Sequence, residues 1–302
     1  MNHIEIDDLL KAGTHFGHPT SRWNPNFKPF LATKKNGIHI IDLNETSKAL
    51  NRTGKEITRI IREGGHILFV GTKKQAKDVV QQASDRCGMY YIVERWLGGT
   101  LTNYATIKKS IKRLSLLEKE SSPIYENLTK KELGMLARER IKLADLHRGI
   151  KDMKHLPSAI FFVDGICEKI AIAEAKTLGI PVMGLVDSNT DPTNIDFPIP
   201  GNDDSMKSIR IIVDYIANCV IEARGGSVYE AAEAATALAP DRLEAWLALG
   251  WSALEAGATE HASEAFDGAL GCGVTDAEAD DDQGIAITDI ADEAASFWYS
   301  QD

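Results

Sequence analysis

Five aspartates fall within eighteen positions of one another near the end of the apolar part of the chain: Asp187, Asp191, Asp196, Asp203 and Asp204. Carboxylates grouped in this way can hold Mg2+ at the carboxyl edge of an α/β sheet. The same residue types also make Asx turns and helix caps, and Asn202 or Asp203 suits the cap of a helix beginning near Met206. His15 and His18, three apart, are a second candidate for metal ligation, but no carboxylate or thiol stands beside them in sequence to complete a site. The segment LFVGTKK, residues 68–74, reads as a strand, a glycine turn and a helix start, where backbone N–H groups can cradle a phosphate. It lacks the second glycine and the Lys-Ser/Thr ending of a Walker loop, and no GxGxxG follows any strand. No nucleophile and base pair is recognisable. An enzyme acting on a phosphorylated ligand is therefore the secondary expectation.

Nucleic-acid chemistry has stronger support. Of 34 Lys and Arg residues, 33 precede Gly226, which leaves residues 1–225 with a net charge of +6. Residues 226–302 carry Arg242 against 17 acidic side chains, net −16. The overall charge of −10 thus hides a basic first part, and a local basic surface is what a polyanion meets. From Leu9 to Ile41 stand Lys11, Arg22, Lys28, Lys34 and Lys35 with no acid, interleaved with His15, Phe16, His18, Trp23, Phe27, Phe30 and His39. Cations neutralise phosphates and flat rings stack on unpaired bases, so the mixture suits structured RNA. A polar arm folded over the core has the same composition.

The elements that must position these residues alternate. Continuous apolar runs at 38–43, 67–71, 90–93, 159–164 and 182–187 read as strands covered on both faces, and 44–62, 73–87, 167–178 and 203–224 have helical spacing. Gly179, then Ile180 and Pro181, stops the third helix. The expected fold is a doubly wound, mainly parallel α/β sheet with a flavodoxin-like strand arrangement.

One interval breaks the alternation: about 65 residues separate Val93 from Ala159, far more than a crossover helix needs. Ile107, Ile111 and Leu114 mark one helix, Ser121, Ser122 and Pro123 interrupt it, and Thr129 with Glu132 is a capping-box signal for another. Leu136, Leu143 and Ile150, with Leu146 and Met153, form a coiled-coil seam. A helix over 130–154 would be about 37 Å long, so residues 102–156 are expected to project as a helical hairpin. Between Tyr104 and Pro157 it carries 13 Lys or Arg against 7 acids, with Lys108, Lys109, Lys112 and Arg113 on its first helix.

The chain is long enough for a sizeable domain and a smaller unit, and 43% hydrophobic residues support a real core. Glu5, Asp7 and Asp8 disrupt any signal-peptide pattern, and no run approaches about 18 apolar residues, so a cytoplasmic location is expected. Cys87, Cys167, Cys219 and Cys272 form no CxxC pair and read as reduced, buried thiols.

Three segments carry a family resemblance: LLKAGTHFGHPTSRWNPNFKPFLATKKNGIHIIDL at 9–43, RWLGGTLTN at 95–103, and IPVMGLVDSNTDPTNIDFPIPGNDD at 180–204. In order, they resemble signatures of the bacterial small-subunit ribosomal protein S2 family over roughly residues 1–226. The resemblance implies a noncatalytic α/β protein without a cofactor, lodged on ribosomal RNA between head and body. It also implies contact with other small-subunit proteins, recruitment of ribosomal protein S1, and a share in the platform for messenger-RNA initiation. Motif positions place Arg22, Trp23, Asn24 and Lys28, then Arg95, Gly98, Gly99, Thr102 and Asn103, among the RNA-facing residues. Lys34, Lys35 and the four hairpin cations join them on charge. Trp23 and Trp96 have a competing role, since large rings beside Pro or Leu commonly anchor packing.

Residues 227–302 depart from the family's short ending. Trp246, Leu249, Gly250, Gly257, Ala262, Phe266 and Ala269 stand where a tetratricopeptide repeat places its fixed residues, although Ala253 and Val274 miss the expected Tyr and Pro. Residues 227–272 are expected to be a small helical extension. Residues 273–302 are read as an acidic linker and an apolar terminal segment. Trp246, Trp251, Phe266, Phe297, Trp298 and Tyr299 are its candidate contacts for an unidentified protein.

Overall fold

A computed structural model describes residues 4–119, 125, 129–225 and 249. The chain divides into two compact units, Met1–Arg224 and Gly225–Asp302. In the second, Leu249 is helical and buried; the other extension residues singled out above, with Cys272 and the interruption at 121–123, lie outside the described residues.

The first unit opens with α1 (Ile6–Lys11), β1 (Phe16–Pro19), a 3-10 segment (Pro25–Phe30), β2 (Leu31–Lys35) and β3 (Ile38–Ile41). These strands form an antiparallel sheet of order β1-β3-β2. The run at 38–43 therefore belongs to a separate sheet, not to the parallel one expected of it. Asn36 and Gly37 close the β2–β3 hairpin with φ of 51° and 78°, the pairing of positive φ values that a two-residue I′ turn requires.

After α2 (Leu43–Arg62), capped where Asn44 N–H donates to Asp42 Oδ1 at 2.9 Å, the alternating part begins. Its elements are β4 (Ile67–Val70), α3 (Lys77–Cys87), β5 (Tyr90–Ile92), α4 (Tyr104–Glu118), α5 (Lys130–His147), β6 (Ala159–Val163), α6 (Lys169–Thr177), β7 (Val182–Val186), β8 (Phe197–Pro200) and α7 (Met206–Ala223). The five strands β5-β4-β6-β7-β8 pair in parallel throughout. In their own chain order this is 2-1-3-4-5, the flavodoxin-like winding, with its switch point between β4 and β6. Every residue of β4, β6 and β7 is buried. Leu68, Val70, Ile160, Phe162, Val182 and Val186 enter a cluster with α6, while α2 and α3 each pack on α7.

Helices α4 and α5 pack together, and the capping box is present: Thr129 N–H donates to Glu132 Oε2 at 2.8 Å and the Glu132 N–H to the Thr129 hydroxyl at 3.4 Å. Leu136, Leu143 and Leu146 are half-buried and Ile150 and Met153 buried, whereas Leu133, Met135 and Ile141 are exposed. The helix nonetheless ends at His147, giving about 27 Å rather than 37 Å. Its continuation is a 3-10 turn, Arg148–Ile150. There Gly149 lies against Tyr91, so close that a Cβ would clash with the Tyr91 carbonyl oxygen.

Candidate functional site

Residues expected to meet RNA come from three places that share one core. Phe27 of the N-terminal arm, Trp96 and Leu101 of RWLGGTLTN, and Ile107, Ile111, Ile150 and Met153 of the helix pair are buried in the same cluster. Rigid packing beneath fixes where the polar side chains above it can stand.

The RWLGGTLTN segment wraps around a carboxylate from a distant helix. Glu174 of α6 accepts from Trp96 Nε1–H at 3.1 Å and Gly99 N–H at 2.7 Å through Oε1. Its Oε2 accepts from Leu101 N–H at 3.0 Å, Thr102 N–H at 3.1 Å and the Thr102 hydroxyl at 3.0 Å. Burial by itself would raise the Glu174 pKa, but the donors from Thr102, Trp96, Gly99 and Leu101 outweigh it and hold the carboxyl below its ordinary value. Trp96 is therefore a buried anchor, and Thr102 and Gly99 spend donors internally. Arg95, Gly98 and Asn103 remain exposed on the loop.

The cations divide in the same way. Arg113 forms a fork to Glu139, at 3.0 Å from Nε and 3.1 Å from Nη2, and Lys108 donates to the Lys154 carbonyl at 2.6 Å. The first joins α4 to α5, and the second ties α4 to the segment that follows α5. Arg22, Lys28, Lys34, Lys35, Arg95, Lys109 and Lys112 are exposed, with no acidic side chain paired to them among the described residues. Asn24 is occupied locally: its side chain accepts from Asn26 N–H at 2.9 Å and its N–H donates to the Ser188 carbonyl at 2.7 Å. Trp23 is half-buried, its ring 4.8 Å from that of His39.

A second polar cluster lies at the carboxyl ends of β4, β6 and β7. Lys73, following β4, places Nζ 2.7 Å from Asp203 Oδ1, 2.7 Å from Asp204 Oδ1 and 3.3 Å from Asp164 Oδ2. His18 approaches from β1, with Nδ1 3.0 Å from Asp187 Oδ2 and Nε2 3.5 Å from Asp204 Oδ2. Thr72 donates its N–H and hydroxyl to Glu168 Oε1, at 2.7 and 2.6 Å. These acceptors take the very donors a bound phosphate would need, and their charge would repel it. The geometry thus opposes the reading of LFVGTKK as a phosphate loop, and α3 itself starts only at Lys77. Contact with Asp187 raises the His18 pKa. Burial first, then the nearby Asp164 and Asp187 carboxylates, push Asp203 up to about 7.

The aspartate group separates into two kinds. Asp191 takes the turn role, its Oδ1 accepting from Thr193 N–H at 3.1 Å, whereas Asp196 makes a longer-range contact, its Oδ2 accepting from Val182 N–H at 2.9 Å at the start of β7. Asp203 is not the cap of α7. Ser205 is, while the Asn202 side chain accepts from Asp204 N–H at 2.8 Å, leaving Asp203 fully buried beside Lys73. His15 is half-buried and outside the cluster, so the His15/His18 pairing is not what the fold brings together. Cys87 and Cys219 are buried free thiols, but Cys167 is exposed, contrary to expectation. Among the described residues no helix is long and apolar enough to cross a membrane.

A family model described as Ribosomal protein S2 matches residues 9–223. The chain belongs to that family. Ribosomal protein S2 is a structural component of the small ribosomal subunit, and membership implies association with the ribosome and its RNA and protein constituents, in a role that is not catalytic. The matched residues hold the N-terminal arm, the RWLGGTLTN loop and the helix pair, and stop short of the acidic extension.

Two features of the site have no signature in one sequence. Glu174 stands more than 70 positions from the loop it organises, inside an ordinary helical pattern. Lys73 and His18 meet Asp203 and Asp204 only once the parallel sheet is wound. The β2–β3 hairpin, by contrast, was readable from Asn36-Gly37 between Lys35 and Ile38.

Proposed function

We propose that the first unit is seated on small-subunit ribosomal RNA by three cooperating surfaces: the N-terminal arm, the RWLGGTLTN loop and the α4–α5 pair. The observation that carries this reading is the common buried cluster beneath all three, topped by exposed cations that no acid neutralises among the described residues. Arg22, Lys28, Lys34 and Lys35 supply phosphate contacts on the arm, Arg95 and Asn103 on the loop, and Lys109 and Lys112 on α4. The family points to a seat between head and body and to recruitment of ribosomal protein S1, in the cytoplasm. The 227–302 extension, net −16, is repelled from the phosphate surface and serves as a protein-binding element facing solvent or a basic partner.

Co-sedimentation with small subunits at physiological salt tests the reading. Arg95 sits on a loop whose backbone is pinned by Glu174 and can present a planar fork to a phosphate; Lys34 extends from an exposed hairpin and offers a single point charge. Arg95→Ala is therefore expected to weaken incorporation more than Lys34→Ala, and equal incorporation refutes the ranking. Truncation after Gly226 is expected to leave incorporation intact while releasing a partner protein. Loss of incorporation on truncation would move the extension into the RNA-seated part.

A further inference from the structure

Asn36 and Gly37, at the tip of the β2–β3 hairpin, combine features that open an amide to chemical change. Asparagine is among the labile side chains of proteins. Its lability is greatest before glycine, where no side chain hinders approach of the next backbone nitrogen to the carboxamide carbon. Asn36 is the one asparagine of the chain that glycine follows. Both residues are exposed, and a Cβ built on Gly37 would meet nothing within 4 Å. Among the described residues, neither the Asn36 carboxamide nor the Gly37 N–H has a hydrogen-bond partner. Other asparagines are held: Asn26, Asn44, Asn51 and Asn202 donate their side-chain amides to Asp191, Asp42, the Ser47 carbonyl and the Gly13 carbonyl.

Charge adds to this exposure. Lys34 and Lys35 precede the pair, and no acid stands between Leu9 and Ile41. A neighbouring cation favours the anionic form of an ionising group, and here that group is the Gly37 backbone N–H, whose conjugate base is the nucleophile.

We propose that Asn36 is a site of self-deamidation in the unassembled chain, and that the product marks the chain as unfit for its seat on RNA. The deprotonated Gly37 nitrogen attacks Asn36 Cγ. The new N–Cγ bond replaces the bond to Nδ2, which takes a proton and leaves as ammonia. Water then opens the cyclic imide at either carbonyl carbon: opening at Cγ gives Asp, and opening at the backbone carbon gives isoaspartate, with the chain continuing through Cβ and Cγ. Water is the only co-reactant, and nothing is oxidised or reduced.

Either product places a carboxylate beside Lys34 and Lys35, which the reading above assigns to phosphate contacts, and this consequence rests on that reading. Isoaspartate also adds a methylene to the backbone of a turn that sets the register of Lys34 with His39 and Lys35 with Ile38. The Gly37 carbonyl in that turn accepts from Thr20 N–H at 2.9 Å, so β1 feels the change as well. RNA laid over the hairpin restrains the flexing that cyclisation needs, and seated chains keep the amide.

The test follows the full 302-residue chain by peptide mass mapping. In the unassembled chain Asn36 is expected to convert to Asp and isoaspartate before any other asparagine, and faster in mildly alkaline than in mildly acid buffer. Chains assembled into small subunits are expected to retain the amide through the same incubation. Asn36→Asp supplies the carboxylate while keeping an Asp-Gly turn, and is expected to lower incorporation by about two- to fivefold, the scale of one exposed charge pair. An Asn36 amide that survives in the unassembled chain, or decays equally in seated chains, overturns the proposal. So does incorporation of Asn36→Asp at the wild-type level. Failure of the unaged wild type to co-sediment overturns the seating reading instead, and the unassembled chain still reports on the chemistry.

Discussion

Glu174 and Asp203 are both buried carboxylates in one α/β unit, and the fold supports them by opposite means. Glu174 has no cation among the described residues: four N–H groups and one hydroxyl converge on its two oxygens, and the pKa falls despite burial. Asp203 has a cation at 2.7 Å, yet neighbouring carboxylates and full burial push its pKa up to about 7. Oriented dipoles that do not repel one another settle a buried charge better than one ammonium shared among competing acids. The dipole-held carboxylate consequently shapes a loop rigidly. The charge-held one keeps an oxygen without a hydrogen-bond partner.

Removing the supports should break the two sites to different degrees. Lys73→Met leaves Asp164 and Asp203 facing each other with their shared ammonium gone. Deleting one partner of a buried ion pair typically costs about 3–5 kcal/mol, and the midpoint of urea unfolding should fall accordingly. A loss below about 1 kcal/mol, the worth of an exposed pair, would mean that water rather than Lys73 supports the aspartates. Glu174→Gln is the matched perturbation at the other site. A carboxamide keeps one acceptor oxygen and turns an NH2 group toward donors, so about 2–3 kcal/mol is expected, the scale of hydrogen bonds to a charged group. This change should also weaken small-subunit incorporation, because Gly98 and Arg95 lose their fixed frame. The folded fraction of Lys73→Met should incorporate normally.

The same contrast explains what could be read from the sequence. Buried strands β4, β5, β6 and β7 were legible because continuous apolar runs are local and parallel sheets require them. The capping box at Thr129 and the stop at Gly179, with φ 67°, were legible for the same reason: each acts over a few residues. Strand β8 was not, since Phe-Pro-Ile-Pro offers too few N–H groups to resemble a strand and survives only at the sheet edge, paired with β7. The arm, loop and hairpin were legible as motifs and charge, but not which cations were already spent. Arg113 and Lys109 look alike in sequence; only packing of α4 on α5 brings Glu139 to the first. Glu174 and the Lys73 cluster were invisible because their partners converge across the winding of the sheet.

The smallest effect discriminates most finely between dipole and charge. Folded Glu174 has a pKa below its unfolded value of 4.5, so the folded chain binds fewer protons at this group than the unfolded chain does. Its stabilisation is complete above pH 4.5 and is lost as the pH falls through the lower folded value. The stability difference between wild type and Glu174→Gln should therefore be constant above about pH 4.5 and narrow below it, measured as urea midpoints across a pH series. Protonation replaces an acceptor by a neutral acid much as Gln does, so the two chains converge. A difference that persists unchanged into acid would show that the five donors need only an oxygen in position and gain nothing from its charge.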